Sequence, residues 1–218
     1  MKLNLLTIFP TFFESILSTS ILKRASQKKL VEYQIINLRD FAQGKHQSTD
    51  DRPFGGGPGM VMKIEPIDLA LQSLGLEKGQ AGKKIILTSA KGQLFKQKMA
   101  QNFAQLDELT LICGHYEGVD ERVATYLVDA EVRIGDYVLT GGEVAAAVMT
   151  DALVRLLPGV LGNEESNQDE SHSQPGLAGV EQYTQPVNYR GWQVPEILRS
   201  GDHQKITQFR NQKRQLKD

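Results

Sequence analysis

The sequence predicts an α/β fold with a mainly parallel sheet over residues 1–160, then a linker over 161–182 and a short, mainly helical tail over 183–218. Three observations carry this reading. Apolar, strand-like runs alternate with helix-like segments as far as Leu157. Two of those strands run into glycine turns close together, within Leu109–Arg122 and within Glu131–Glu143. From Gly159 to Gln182 the chain becomes rich in Gly, Ser, Asn, Gln and Glu, and its periodicity disappears.

The elements follow in order. Leu3 to Phe9 reads as a buried first strand, because its polar and apolar residues alternate only in part. Phe12 to Arg24 has helical spacing at Phe13, Ile16, Leu17 and Ile21. Val31 to Leu38 is a second strand, and Asp40 to Met60 is polar and then glycine-rich. Ile64 to Leu74 is a helix with Pro66 in its first turn. A strand over Lys84–Thr88 and a helix over Gln93–Phe103 come next. Leu109–Cys113 is a strand, Asp120–Leu127 a helix, and Glu131–Val138 mostly strand. Val144–Leu157 is a helix that Pro158-Gly159 stops. In the tail, Trp192–Leu198 packs locally, and Asp202–Lys213 forms a helix with Ile206 and Phe209 on one face.

Bulk properties exclude several classes. The 218 residues, 40% of them hydrophobic, suffice for a proper core. A net charge of −1 gives no global signature of nucleic-acid binding, so any basic surface is local. Such a surface is available in the tail, at Arg199, Lys205, Arg210, Lys213, Arg214 and Lys217. The single Cys113 rules out an intrachain disulfide framework and suits a reducing compartment. No apolar run approaches the ~20 residues that span a bilayer. The N-terminus lacks the basic start and cleavage site of a secretory signal. A cytoplasmic protein without a membrane segment is expected.

The two glycine turns carry the chemistry. Gly141 and Gly142 let a ligand approach the backbone, and the helix after them directs free N–H groups at the same spot. Gly114, Tyr116, Glu117 and Gly118 lie at a strand's C-terminal edge, where open α/β sheets place ligands. Read alone, this segment fits a connecting loop with a solvated Glu117 better than a binding site. Arg52-Pro-Phe-Gly-Gly-Gly-Pro-Gly-Met-Val61 fits neither a P-loop nor a dinucleotide fingerprint. It reads as a surface turn or as a backbone cradle for a base or phosphate. Arg155, one turn after Asp151, has the spacing of an ordinary ion pair. Asp169, Glu170, Ser171 and His172 form either a solvated run or part of a closing segment that holds an acid or base. His46, His115, His172 and His203 lack metal-ligand spacing, so no zinc site is inferred. Cys113 ends a buried strand and reads as packing.

Together, Arg52-Pro-Phe-Gly-Gly-Gly-Pro-Gly-Met, Cys-Gly-His-Tyr-Glu-Gly-Val-Asp-Glu-Arg, Ile-Gly-Asp-Tyr-Val-Leu-Thr-Gly-Gly-Glu and Leu-Pro-Gly-Val-Leu-Gly resemble the bacterial tRNA (guanine-N1)-methyltransferase family of the SPOUT superfamily. The opening Leu-Leu-Thr-Ile-Phe-Pro and the later Gln-Tyr-Thr-Gln-Pro, Tyr-Arg-Gly and Val-Pro-Glu-Ile-Leu-Arg-Ser-Gly-Asp-His are also similar, so the likeness spans nearly the whole chain. That family methylates the guanine immediately 3′ of the anticodon, position 37 of tRNA.

The resemblance implies a trefoil-knotted α/β domain, S-adenosylmethionine held by the knot loops, and a homodimer with the active site between subunits. It implies cofactor positions at Gly114, Ile134, Gly135, Asp136, Tyr137, Val138 and Leu139; Thr88, Ser89, Tyr116, Gly118, Gly141 and Gly142, on the strand ends and glycine turns beside them, are expected in the same cofactor site. It assigns the catalytic arginine to Arg155 and an active-site carboxylate to Glu117. The general base falls on Glu170, which precedes Ser171 where the family has aspartate before Ser-Phe; Asp169 lies one residue earlier. No resident metal is implied, and Mg2+ is the one accessory ion left open. A knot runs against the usual topological rule.

Four departures from the family pattern stand out. Glu170 replaces aspartate, His115 stands where arginine is usual, and Ala90 stands where proline is usual. The sequence ends at Asp218, where the family continues through a longer helical domain. These features define the rival readings: a knotted paralogue that binds cofactor or RNA without turnover, or a methyltransferase for another RNA guanine.

Overall fold

The computed structural model describes residues 1–162, 170–172 and 178–214. The chain divides into two compact units, Met1–Gly162 and Asn163–Asp218. Asp169 and Lys217 lie outside the described residues.

The first unit is a five-stranded sheet with helices on both faces. In chain order its elements are β1 (Lys2–Thr7), α1 (Thr11–Leu17), α2 (Ser20–Gln27), β2 (Glu32–Asn37), β3 (Asp50–Asp51), β4 (Val61–Met62), α3 (Ile64–Ser73), β5 (Lys83–Leu94), α4 (Gln97–Phe103), β6 (Glu108–Cys113), β7 (Ala130–Arg133) and α5 (Glu143–Val154). A π-helical turn covers Val123–Leu127. The sheet order is β2-β1-β6-β5-β7, and every pair is parallel.

A parallel sheet is covered on both faces, so its inner strands read as near-continuous apolar runs. Strand β6 shows this, with all six residues buried. Alternate residues supply two cores, as the pleat dictates. Leu3, Leu5, Leu109 and Leu111 pack with Phe13, Met149 and Leu153 on one side. Leu6, Ile85, Leu87 and Ile112 pack with Ile67 and Leu71 on the other. Buried polar side chains of β1 and β6 pair across the two strands. Asn4 Nδ2 donates to Glu108 Oε1 (2.9 Å) and to Thr110 Oγ1 (3.0 Å), and Lys83 Nζ lies 2.9 Å from Glu108 Oε2.

Several expected boundaries are corrected. The helix expected over Phe12–Arg24 breaks into α1 and α2 at Ser18-Thr19-Ser20, where the Ser18 and Thr19 hydroxyls donate to the Ser15 carbonyl and compete with the helical ladder. Strand β5 runs past Thr88 to Leu94, because Ser89–Gly92 bulge out while Gln93 and Leu94 rejoin β7 in a shifted register. Gln93 is therefore strand, and α4 starts at Gln97. Strand β7 stops at Arg133 rather than Val138. It is the edge of the sheet with no outer partner, and Ile134–Leu139 form a loop instead. Helix α5 ends at Val154 rather than Leu157, and the turn that follows carries Gly159 at φ +77°.

In the second unit, β8 (Asn188–Tyr189) and β9 (Trp192–Gln193) form an antiparallel hairpin. Helix α6 (His203–Gln212) starts at Asp202, whose carboxylate accepts from the Lys205 N–H (3.1 Å) as an N-cap. Ile206 and Phe209 are half-buried on one face of α6.

Candidate functional site

Strands β6, β5 and β7 are adjacent and parallel, so their C-terminal ends meet at one edge. Thr88 on β5 ties the centre of that edge together. Its hydroxyl donates to the Ile112 carbonyl (3.0 Å) and faces the Gly114 N–H (3.4 Å). From β7 the chain loops out through Ile134–Leu139 and returns at Gly141-Gly142, alongside the loop that leaves β6. Gly142 N–H donates to the Gly114 carbonyl at 2.7 Å, and His115 and Gly141 form an antiparallel bridge.

The returning turn needs glycine. A Cβ on Gly142 would lie 2.9 Å from the Gly114 nitrogen and 3.0 Å from the Cys113 Cα, and would overlap the Thr88 hydroxyl. On Gly114 it would come 3.1 Å from the Thr88 carbonyl oxygen. Backbone therefore packs against backbone at this point, and donors and acceptors rim the space above it. A second glycine loop joins from the other side. The Glu117 N–H donates to the Met60 carbonyl (3.0 Å), and the Met62 N–H donates to the Gly118 carbonyl (2.9 Å). Gly59 at φ +81° lies against the Glu117 side chain.

These segments enclose a cavity of about 480 Å3, within the usual size range of small-molecule sites. Of the expected cofactor residues, Thr88, Ser89, Gly114, Tyr116, Gly118, Ile134, Gly135, Tyr137, Val138, Leu139, Gly141 and Gly142 all line it, together with Glu117. Asp136 does not line it; its carboxylate accepts from Arg133 Nε at 2.8 Å. Tyr137 and Val138 are exposed apolar walls, at 57% and 86%. Tyr116 takes φ +59°, and the His115 ring sits edge-on to both Phe9 and Tyr116 at 5.0 Å.

Sequence reasoning missed two groups. Lys91 and its partners Glu121 and Glu131 line the cavity, and the hydrogen bond that Lys91 donates to the Glu121 carboxylate raises the ammonium above its ordinary pKa. Glu143 opens α5 as a buried carboxylate and accepts from the Thr7 hydroxyl at 2.8 Å. The sequence offers only a partial signal for it, an acid that opens a mainly apolar helix directly after two glycines. Cys113 is fully buried, and burial together with the Glu143 charge pushes its thiol well above the ordinary value.

Of the expected catalytic residues, Glu117 lines this cavity and Arg155, in the same unit, does not. Arg155 caps the far end of α5, about 20 Å along the helix axis from Gly142 at 1.5 Å per residue. It borders a separate hollow with Ser15, Thr19, Ser20 and Asp151. Glu170 is half-buried and belongs to the second unit. Among the described residues, no group of three or more His, Cys, Asp or Glu side chains is arranged to hold a metal, and no helix is long and apolar enough to cross a membrane.

Comparison with known proteins adds the chemical context. The profile of the family described as tRNA (Guanine-1)-methyltransferase TrmD matches residues 1–218. A tRNA (guanine-N(1)-)-methyltransferase of Moorella thermoacetica is 51% identical over 213 residues, covering 97% of this chain and 84% of that protein. The proteins of the same description from Staphylococcus carnosus and Bacillus subtilis are 48% and 47% identical, covering 100% and 97% of this chain and 87% and 86% of their own lengths.

Proposed function

Because the chain belongs to the tRNA (guanine-1)-methyltransferase family, we propose that its glycine-lined cavity holds S-adenosylmethionine and that it methylates N1 of the tRNA guanine immediately 3′ of the anticodon, position 37. The observation that carries this reading is the cavity itself. Three parallel strand ends and a returning glycine turn leave backbone N–H and C=O groups around a space of ligand size. Such groups read the edge of an adenine, while Tyr137 and Leu139 give it apolar walls. The tight passage of Gly142 beside Thr88 and Gly114 supports a trefoil-knotted, SPOUT-type arrangement of these loops.

S-adenosylmethionine would supply a methyl group on a sulfonium, whose S–CH3 bond breaks with S-adenosylhomocysteine as the leaving group. The remaining work falls to side chains. N1 of neutral guanine bears a proton, which must leave as the N1–C bond forms. We assign its removal to the Glu170 carboxylate by motif register, and assign Arg155 to offset the negative charge that develops on guanine O6. We assign Glu117, on the cavity wall, as a further active-site carboxylate.

We infer a homodimer from the family resemblance, and α5 supports it. Helix α5 carries charge at the exposed Asp151, yet Val144 and Val148, one turn apart on the same face, stand 46% and 45% exposed as an apolar stripe. Covering them with a second copy would bury that stripe. It would also let Arg155 of one protomer serve the cavity of its partner, which its own helix keeps at a distance. The basic tail, from Arg199 to Lys213 and Arg214, supplies cations for tRNA phosphates. A cytoplasmic enzyme fits this substrate. Calorimetric titration with S-adenosylhomocysteine tests the cofactor assignment: saturable one-to-one binding per chain is expected, and no heat at millimolar ligand with folded protein would refute it.

A further inference from the structure

We propose that the β8–β9 hairpin is a stacking platform for an unpaired nucleobase of the RNA substrate, with Trp192 as the open ring. The inference rests on the tRNA reading above and adds a site to it. Tyr189 and Trp192 pair directly across the hairpin, so their side chains share one face. Their ring centroids are 5.8 Å apart and the planes are tilted by 54°. Arg190 places its guanidinium 5.2 Å from the Tyr189 centroid. One ring is thus covered by a cation and the other is left open.

The turn makes the platform rigid. Arg190 and Gly191 take φ +54° and +87°. Positive values at both central positions match the twist of a two-residue hairpin. The Asn188 carboxamide accepts from the Gly191 N–H at 2.9 Å, and Val194 N–H donates to the Val187 carbonyl at 2.9 Å to close the base. Yet the rings thus fixed are not packed away: Trp192 is 70% exposed and Tyr189 51%. Large aromatics held outward by an ordered turn beside a guanidinium match the chemistry that binds single nucleobases. The indole face stacks on the base, and the arginine meets a neighbouring phosphate or the base plane. An apolar protein partner would leave that guanidinium desolvated and unpaired.

Trp192 is the only tryptophan in the chain, so its fluorescence reports on this site alone. The full-length protein is titrated with unmodified tRNA, and filter binding is measured in parallel. Trp192 emission should fall saturably with the same midpoint as filter binding. Trp192→Ala should weaken tRNA binding roughly 10- to 100-fold, Trp192→Phe should retain most of it, and S-adenosylhomocysteine affinity should not change in either. Because stacking is not a counterion effect, the ratio of wild-type to Trp192→Ala affinity should persist as salt is raised, while both affinities fall. Binding on the filter without a change in emission, or equal affinity of Trp192→Ala and wild type, overturns the platform and leaves the methyltransferase reading intact. Absence of both tRNA binding and methyl transfer overturns both. Emission that changes with protein concentration in the absence of RNA assigns the patch to a second copy of the chain and overturns the proposal.

Discussion

The Thr7 hydroxyl donates a 2.8 Å hydrogen bond to the buried carboxylate of Glu143, and so joins the end of β1 to the first turn of α5 directly behind the glycine turn. Thr7 Oγ1 also accepts from the Phe9 N–H at 2.9 Å. Thr7→Val keeps the shape and removes both bonds, leaving a buried carboxylate short of a donor. The expected loss of stability is about 1–3 kcal/mol, read as a lower urea midpoint with an unchanged slope. Equal midpoints would mean that solvent already satisfies Glu143.

Gly142 leaves no room for a side chain. Gly142→Ala drives a methyl group toward the Gly114 nitrogen, the Cys113 Cα and the Thr88 hydroxyl, two of which are backbone or backbone-fixed atoms that cannot swing aside. Binding of S-adenosylhomocysteine should fall at least tenfold, whereas Gly162→Ala, where nothing lies within 4 Å of an added Cβ, should bind like wild type. Normal binding by Gly142→Ala would show that the turn is free to move.

Stability should also depend on pH through Glu108. Burial alone would push its carboxyl up, but the Asn4 amide and the Lys83 ammonium more than reverse this and hold it below its ordinary value. A carboxyl whose folded pKa is depressed stabilises fully above its unfolded pKa, about 4.3 for glutamate. That stabilisation is lost as pH falls through the folded value. Glu108→Gln should therefore be less stable than wild type at pH 7, and the gap should close as the pH is lowered below about 4. A gap of constant size between pH 7 and pH 3 would assign the loss to packing instead.

How much of this was legible in the sequence depended on whether the local pattern matched the tertiary constraint. Strand β6 was legible because all of its side chains are buried, so Glu-Leu-Thr-Leu-Ile-Cys reads almost continuously apolar. The walls of the cavity were legible because glycines mark each close approach. The extension of β5 was not, since Ser89-Ala90-Lys91-Gly92 looks like a turn and its bulged return to β7 is a non-local pairing. Nor was the structural role of Glu143, whose partner Thr7 lies 136 residues away in the chain. The arginine role of Arg155 came from resemblance alone. Periodicity shows only an ordinary pair with Asp151, and the length of α5 separates it from the cavity of its own chain.

A second copy should resolve that separation. Sedimentation should give twice the 24.2 kDa chain mass at micromolar concentration. Arg155→Ala and Glu170→Ala proteins, each inactive, should recover part of the activity when mixed, because sites that draw on both chains can then include one free of either lesion. A monomer in solution, or no recovery after subunit exchange is demonstrated, would contradict the shared site.

Single-turnover methyl transfer to unmodified tRNA, with the modified base located by mass spectrometry, tests the central assignment most directly. Wild type should produce 1-methylguanine at the position 3′ of the anticodon. Glu170→Gln should form the same product roughly 10²- to 10⁴-fold more slowly, with S-adenosylhomocysteine affinity unchanged, and Asp169→Asn should lose far less. A methyl group on any other atom or base, or a Glu170→Gln protein as fast as wild type, would contradict guanine-N1 chemistry with Glu170 as the base.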